Sequence, residues 1–447
     1  MKTEELFEKG SVWKAIIKMS IPTIVVMLVT TVYSMADLIF VGQTGDAAQI
    51  AAVSLASPFF LLQMTLGTLI GGGGCTAIST ALGAKNESLA RAYSSACTVL
   101  CVISGILLGG AFLLFPDFFL QLFGADADTW QHTKDYIMIL AVGTPAVVFS
   151  NAYANLVRAE GSVKEAVLFN FIGTIANIIL DPIFISVLGM GVRGAALATV
   201  LGNIFSAAAI LIYLCRKSTM LTLNPKYALR EKHAFLKVLT LGIPSSISNL
   251  MMSLTNTISN HIAIQYGAGV IAAMGVGGKA SMIVAMVVMA IALGVQPMIA
   301  YNFGAGNTAR TREIIRKSAV FAVLTGTVLT AACYLLRTPI ARLFVQEETL
   351  IQQSVHIMNI GLIGMPLLGL YYLGVNHLQS TNHPFLATFL SVFRQGIIYA
   401  PALILMHTLF GMEGMFWTGP LTDLISTALA VFFLLPRKKQ VTAAQNT

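Results

Sequence analysis

Apolar runs of about 20 residues recur along the whole chain, and such runs leave a polypeptide few structural options. A helix of that length crosses the roughly 30 Å hydrocarbon core of a bilayer. No water is available there, so every backbone N–H and C=O must be bonded within the segment or within a closed barrel. Barrel strands alternate apolar and polar residues, whereas these runs are continuous. The chain is therefore expected to be an all-α integral membrane protein. Composition agrees: 56% of the 447 residues are hydrophobic and 10% are charged, against about 25% charged in soluble proteins. Twelve spans are expected, at 14–41, 50–78, 93–115, 134–156, 165–189, 193–214, 238–264, 270–301, 317–336, 354–376, 384–407 and 412–435.

Charge then orients the spans. With the N-terminus in the cytoplasm, 21 of the 27 lysines and arginines fall on the cytoplasmic side and four on the other. Such a bias is the positive-inside signature, so both termini are expected in the cytoplasm of a multi-pass inner-membrane protein. The net charge of +8 is thus spent on topology, and no nucleic-acid partner is expected. Glu4, Glu5 and Glu8 crowd the N-terminus, and no small-residue cleavage site follows the first run, so the first helix should be retained. Cys75, Cys97, Cys101, Cys215 and Cys333 lie in apolar runs and read as small buried hydrophobes.

The chain repeats itself. Ile21-Pro22 recurs as Ile243-Pro244, Gly83-Ala84-Lys85-Asn86 as Gly304-Ala305-Gly306-Asn307, and Gly143-Thr144-Pro145 as Gly364-Met365-Pro366, each 221 or 222 residues later. Two six-helix halves, 1–215 and 238–447, are expected to flank a cytoplasmic linker at 216–237. Six spans per copy insert both halves with the same orientation, with a cavity between them near the midplane. That is a transporter architecture.

Acids within spans are costly, about 2.5–3.5 kcal/mol even on translocon scales, so they mark function or a partner. Asp37 lies in span one, Asp181 in span five and Asp423 in span twelve. Tyr33 precedes Asp37 by four residues and Asn177 precedes Asp181 by four, so each pair shares a helix face; Ala195 and Thr199 have the same spacing. Pro182 frees the carbonyl four residues before it. Asp37, Asn177, Asp181 and Thr199, with such carbonyls, would suit a hard cation such as Na⁺. Two carboxyls in a dry pocket would equally suit H⁺. By the repeat, Asp37 maps to Ser259 and Asp181 to Ala400, while Pro182 keeps a counterpart in Pro401. The acidic pair exists in the first half alone, which places the expected coupling site there. Pro22, fifteen residues before Asp37, is the expected hinge.

The segments Tyr33-Ser-Met-Ala-Asp37-Leu-Ile-Phe-Val-Gly42, Asn177-Ile-Ile-Leu-Asp181-Pro182 and Gly194-Ala195-Ala196-Leu-Ala-Thr199, in that order and within a six-plus-six repeat, resemble the multidrug and toxic compound extrusion (MATE) family. The resemblance covers nearly the whole chain and is nearest the bacterial and archaeal branch with a cation site in the N-terminal lobe. It implies a V-shaped transporter that exports cationic or amphipathic organic compounds in exchange for H⁺ or Na⁺ by alternating access. Tyr33, Asp37, Asn177, Asp181, Ala195 and Thr199 match that cation site. The acids that some branches carry on spans seven and ten are missing here, which puts a C-lobe cation site of that type in doubt. No cofactor beyond the coupling ion is implied, and the working unit is expected to be a monomer in the lipid bilayer.

Other polar positions admit two readings. Asp423 either lines the cavity or makes contacts between spans. Arg394 either neutralises a cavity carboxylate or snorkels to an interface. Asn151 and Asn155 share a face of span four and serve either a helix interface or substrate. Arg158 sits near a span end and should snorkel. Gly71 to Gly74 is not a phosphate loop, because no Lys-Ser/Thr follows it; close helix packing explains it. A flippase for lipid-linked sugars would need several cavity arginines for pyrophosphate, and only Arg394 and Arg158 are on hand. An intramembrane enzyme would need clustered nucleophiles or metal ligands, whereas His261, His377, His383 and His407 are scattered.

Overall fold

The computed structural model describes residues 5–42 and 47–434, without the side chains of residues 5, 31–42, 47 and 268. All regular structure among the described residues is helical. In chain order the α-helices are α1 (Val12–Gly42), α2 (Ala47–Leu55), α3 (Ser57–Gly83), α4 (Glu87–Leu114), α5 (Pro116–Leu122), α6 (Trp130–Ala159), α7 (Val163–Pro182), α8 (Val192–Arg216) and α9 (Lys226–Arg230). They continue as α10 (Ala234–Ala263), α11 (Ala268–Gly304), α12 (Thr308–Leu335), α13 (Arg337–Phe344), α14 (Glu348–Gly361), α15 (Met365–Ser380), α16 (Pro384–Val392) and α17 (Ala400–Leu434).

Among the described residues ten helical stretches are long and apolar enough to cross a membrane, or eleven if the bent pair α14 and α15 forms one span. One stretch, Pro384–Leu434, has 51 residues, more than twice what a crossing needs. Gly411 interrupts it with φ 60° and ψ −136°, outside any right-handed helix. The expected spans at 384–407 and 412–435 fall on either side of this break. Twelve spans are counted only when that element is divided at Gly411 and the bent pair is taken once. The expected continuous span at 354–376 is bent by 50° between α14 and α15. Pro366 opens α15, whereas its repeat partner Pro145 lies within the unbroken α6. Outward-facing side chains are apolar, as in Val102, Ile103, Ile106 and Leu107 of α4, which form a lipid-facing stripe.

The chain divides into two compact units. The first comprises residues 1–250 and 294–314, the second 251–293 and 315–447. The first unit has a core of α3, α4, α6 and α8 side chains around Ile70, Cys97, Tyr153, Leu156 and Ile210. Cys75, Cys97 and Cys101 are buried in it as expected, but Cys215 is exposed and Cys333, in the second unit, is half-buried. Glycines set the helix spacing. A Cβ on Gly71 would stand 2.9 Å from the Ala152 carbonyl oxygen, and one on Gly73 only 1.9 Å from that of Val238. Close packing is thus the role of the glycine run.

Segment 216–237 docks on the first unit. The Ser94 hydroxyl donates to the Thr222 carbonyl (3.2 Å) and accepts from the Thr222 N–H (2.9 Å). Ser95 donates to the Asn224 carbonyl at 2.6 Å. The Glu160 carboxylate accepts from Tyr213 Oη, Ser218 Oγ and the N–H groups of Met220 and Leu221, at 2.7–3.1 Å. The N-terminal turn Glu5–Lys9 is held as well: Arg310 donates to the carbonyls of Phe7 (2.7 Å) and Gly10 (2.6 Å), and Phe7 is fully buried.

The second unit packs α11, α14, α15, α16 and α17 around Val284, Val288, Met358, Leu368 and Leu390.

Candidate functional site

Asp181 stands at the end of α7, and Pro182 follows it directly. Proline brings no N–H, so the carbonyl of Ile178 loses its helical donor. The chain then widens into a π-helical turn, Ile183–Val187, in which the Leu188 N–H reaches back five residues to the Ile183 carbonyl at 2.8 Å. Such turns often mark functional sites.

Small residues let α8 approach this corner. A Cβ on Gly202 would lie 2.7 Å from the Gly173 carbonyl oxygen, and one on Gly173 2.9 Å from that of Gly202. A Cβ on Gly194 would meet the Phe184 backbone at 2.8 Å. The close crossing brings Thr199 against Asn177. In the amide orientation that satisfies both its polar atoms, Asn177 Nδ2 donates to Asp181 Oδ2 at 2.8 Å and Oδ1 accepts from the Thr199 N–H at 3.0 Å. The Thr199 hydroxyl lies 3.4 Å from the same amide. Asp181 is wholly buried, Asn177 and Thr199 nearly so, and Ala195, one turn before Thr199, has no exposure. A carboxylate in this setting is held by a charge-assisted hydrogen bond from Asn177, with the Thr199 hydroxyl oxygen close by for a small cation. Tyr33 and Asp37, the other expected members, lie outside the residues whose side chains are described.

Asn177, Asp181, Ala195 and Thr199 are thus brought together. Asn151 and Asn155 are placed elsewhere, on α6 facing α3. Each donates to the carbonyl one turn back, at 2.9 Å, and they pack against Gly67 and Gly71. Arg158 donates to the Asn155 side-chain oxygen, so its head stays beside the helix. Pro22 lies inside α1 and Pro244 inside α10.

In the second unit Arg394 and Asp423 form an ion pair. Arg394 Nη2 and Nε both donate to Asp423 Oδ1, at 2.7 and 2.8 Å, and both side chains are largely buried. The guanidinium lies over the rings of Tyr371 (5.0 Å) and Tyr372 (5.8 Å). Sequence reasoning offered Arg394 a carboxylate partner without naming it, and it missed the tyrosines. Arg394 sits in a second π-helical turn, Phe393–Tyr399. A cavity of about 270 Å³ in this unit is lined by His356, Glu413, Phe416 and their neighbours, and none of the expected coupling residues contributes to it.

The MatE family model matches residues 22–183 and 244–404, one segment in each half. The chain is similar to "Multidrug export protein MepA" of Staphylococcus aureus (strain MRSA252), with 30% identity over 447 residues, covering 97% of each protein. It is 29% identical over 449 residues to the protein of that name in Staphylococcus haemolyticus (strain JCSC1435), covering 99% of this chain and 98% of the relative. Its fold is similar to that of the "Outward-facing conformation of a multidrug resistance MATE family transporter of the MOP superfamily", with a TM-score of 0.91, 23% identity and 97% of each chain covered. A MOP superfamily transporter from Pyrococcus furiosus is similar at a TM-score of 0.89 and 24% identity, with 97% of each chain covered.

Proposed function

The chain belongs to the MatE family, and from that premise we propose that it is an antiporter exporting cationic and amphipathic organic compounds in exchange for H⁺ or Na⁺. It is a multi-pass membrane transporter and not an enzyme. The observation that carries ion coupling is Asp181, wholly buried and bonded to Asn177, in a duplicated scaffold whose second copy has Ala400 there.

The mechanism follows from the cost of a buried charge. An ionised carboxylate is expensive in a low-dielectric interior. Binding of the driving ion neutralises Asp181, and the site then tolerates a rearrangement that the ionised carboxylate resists. Arrival of the ion from outside and of drug from inside thereby become linked steps of one cycle. Pro22 in α1 supplies a place for that helix to bend. The positive-inside bias supports a plasma-membrane location with both termini in the cytoplasm. Lipid-linked sugars fit less well, because Arg394 is already neutralised by Asp423 and Arg158 is bonded to Asn155.

Ethidium efflux from proteoliposomes under an imposed Na⁺ or pH gradient tests this. The expected result is gradient-driven efflux by the natural protein, lost in both Asp37→Asn and Asp181→Asn, with the effective gradient naming the ion. Efflux that survives both substitutions would remove the N-terminal site from the mechanism. Intact vesicles that move no cationic dye under either gradient would remove drug antiport itself.

A further inference from the structure

The two halves diverge where the ion site would recur. Gly191 opens α8 with φ 54° and ψ −132°, and Gly411 has φ 60° and ψ −136° at the matching place 220 residues later. Three residues on, a Cβ on Gly194 would strike the Phe184 backbone at 2.8 Å, and one on Gly414 the Met406 carbonyl oxygen at 1.9 Å. The same offset aligns Asn203 with Asp423. Asn203 is a neutral amide, accepting from Ser150 Oγ at 2.9 Å and donating to the Thr199 carbonyl at 2.9 Å. The second half therefore carries a carboxylate where the first carries an amide, and it adds Arg394 two bonds deep at 2.7 and 2.8 Å.

The surroundings hold the guanidinium in place. Tyr371 and Tyr372 offer it their ring faces. The π turn that bears it is fixed by Thr255 Oγ1, which donates to the Gln395 carbonyl at 3.2 Å, and by Tyr399 Oη with Ser259 Oγ at 3.0 Å. Ser259 and Ala400 are the counterparts of Asp37 and Asp181. Where the first half keeps acids for a mobile ion, the second has one acid with a cation built into the chain.

We propose that Arg394 is a resident counter-ion that keeps Asp423 out of ion coupling, so that the first half alone sets the number of driving ions per cycle. The proposal rests on the antiport reading above. A buried carboxylate needs a partner cation; with Arg394 covalently present, Asp423 has no call on H⁺ or Na⁺. Deleting the guanidinium should convert Asp423 into a second site that must be filled from solution. The titratable groups facing the pair are Tyr371 and Tyr372 on α15 and Tyr399 on the π turn.

The test is gradient-driven ethidium efflux by full-length R394M, D423N and R394M/D423N in proteoliposomes, with melting followed in detergent. The readout is the slope of log rate against log driving-ion concentration. R394M is expected to steepen the slope by about one and to run at least tenfold slower where the natural protein is saturated. R394M/D423N is expected to return to the natural slope. An unchanged slope in R394M would show that the pair only fastens helices, and would overturn the proposal. So would a double variant that melts within a few degrees of the natural protein yet loses coupling, since Asp423 would then be a coupling carboxylate. Should R394M not fold, the double variant decides alone. Natural protein without gradient-driven efflux would instead defeat the antiport reading on which this one stands.

Discussion

Gly83 and Gly304 are counterparts in the repeat, and each presses on the other's helix. A Cβ on Gly83 would stand 1.9 Å from the Tyr301 carbonyl oxygen, and one on Gly304 2.0 Å from that of Thr80. The contact lies within the first unit, between the ends of α3 and α11. Gln296 Nε2 donating to Thr76 Oγ1 at 3.0 Å reinforces it. Backbone cannot retreat as a flexible side chain can, so only glycine permits this approach.

Gly83→Ala or Gly304→Ala should therefore lower stability by about 1–3 kcal/mol, the usual cost of overpacking. Gly110, whose Cβ would meet nothing within 4 Å, is the control. Gly110→Ala lies in helical α4 and should gain up to about 1 kcal/mol. Thermal melts of the three variants in detergent check both signs. Equal melting of all three would show that the crossing relaxes at no cost.

At the proposed coupling site, Asn177→Ala removes the donor to Asp181 Oδ2. A hydrogen bond to a charged group is worth about 1.5–3 kcal/mol, or roughly a tenfold to hundredfold change in an equilibrium. The concentration of driving ion that half-saturates efflux should shift by at least about tenfold, with the protein still folded. Titration of efflux rate against the ion measures it. An unchanged midpoint would exclude Asn177 from the site.

Glu160→Ala should loosen the docked segment that follows α8. The carboxylate takes four donors from Tyr213, Ser218, Met220 and Leu221, and each buried group left unmatched costs about 1–3 kcal/mol. Brief trypsin treatment should then cut after Arg216 and Lys217 much faster than in the natural protein, while the spans stay intact. Unaltered cleavage there would mean that Ser94 and Ser95 hold the segment by themselves.

Asp126 lies in the loop before α6, where the Thr129 hydroxyl (2.6 Å) and N–H (2.9 Å) donate to its carboxylate. These bonds hold its carboxyl below the ordinary Asp value of 3.8. A lowered folded value gives stability that is present above 3.8 and is lost as pH falls through the folded value. Asp126→Ala should thus melt below the natural protein at neutral pH, with the gap narrowing as pH drops below 3.8. A gap that stays constant with pH would show that the ionised carboxylate contributes nothing.

How much of this was legible depends on the range of each interaction. Apolar runs, the Lys/Arg bias and the repeat are local or additive properties, and they announced a helical membrane protein in two related halves. Spacings of four put Asn177 with Asp181 and Ala195 with Thr199, because helical periodicity is dictated within a few residues. Tertiary packing decided the rest. The Asn177 amide takes its orientation from a helix 22 residues on, Arg394 finds Asp423 across 29 residues, and Ser94 meets Thr222 across 128. Composition marks segment 216–237 as a polar linker; Ser94 and Ser95 of α4 and Glu160 after α6, none of which belongs to it, fasten it in place. The acids could be read from sequence because charge in a bilayer is rare. Which of them stands beside Thr199 and Asn177 and which is matched by an arginine depends on close approaches of backbone, set at Gly173, Gly202 and Gly414, that no single stretch of sequence displays.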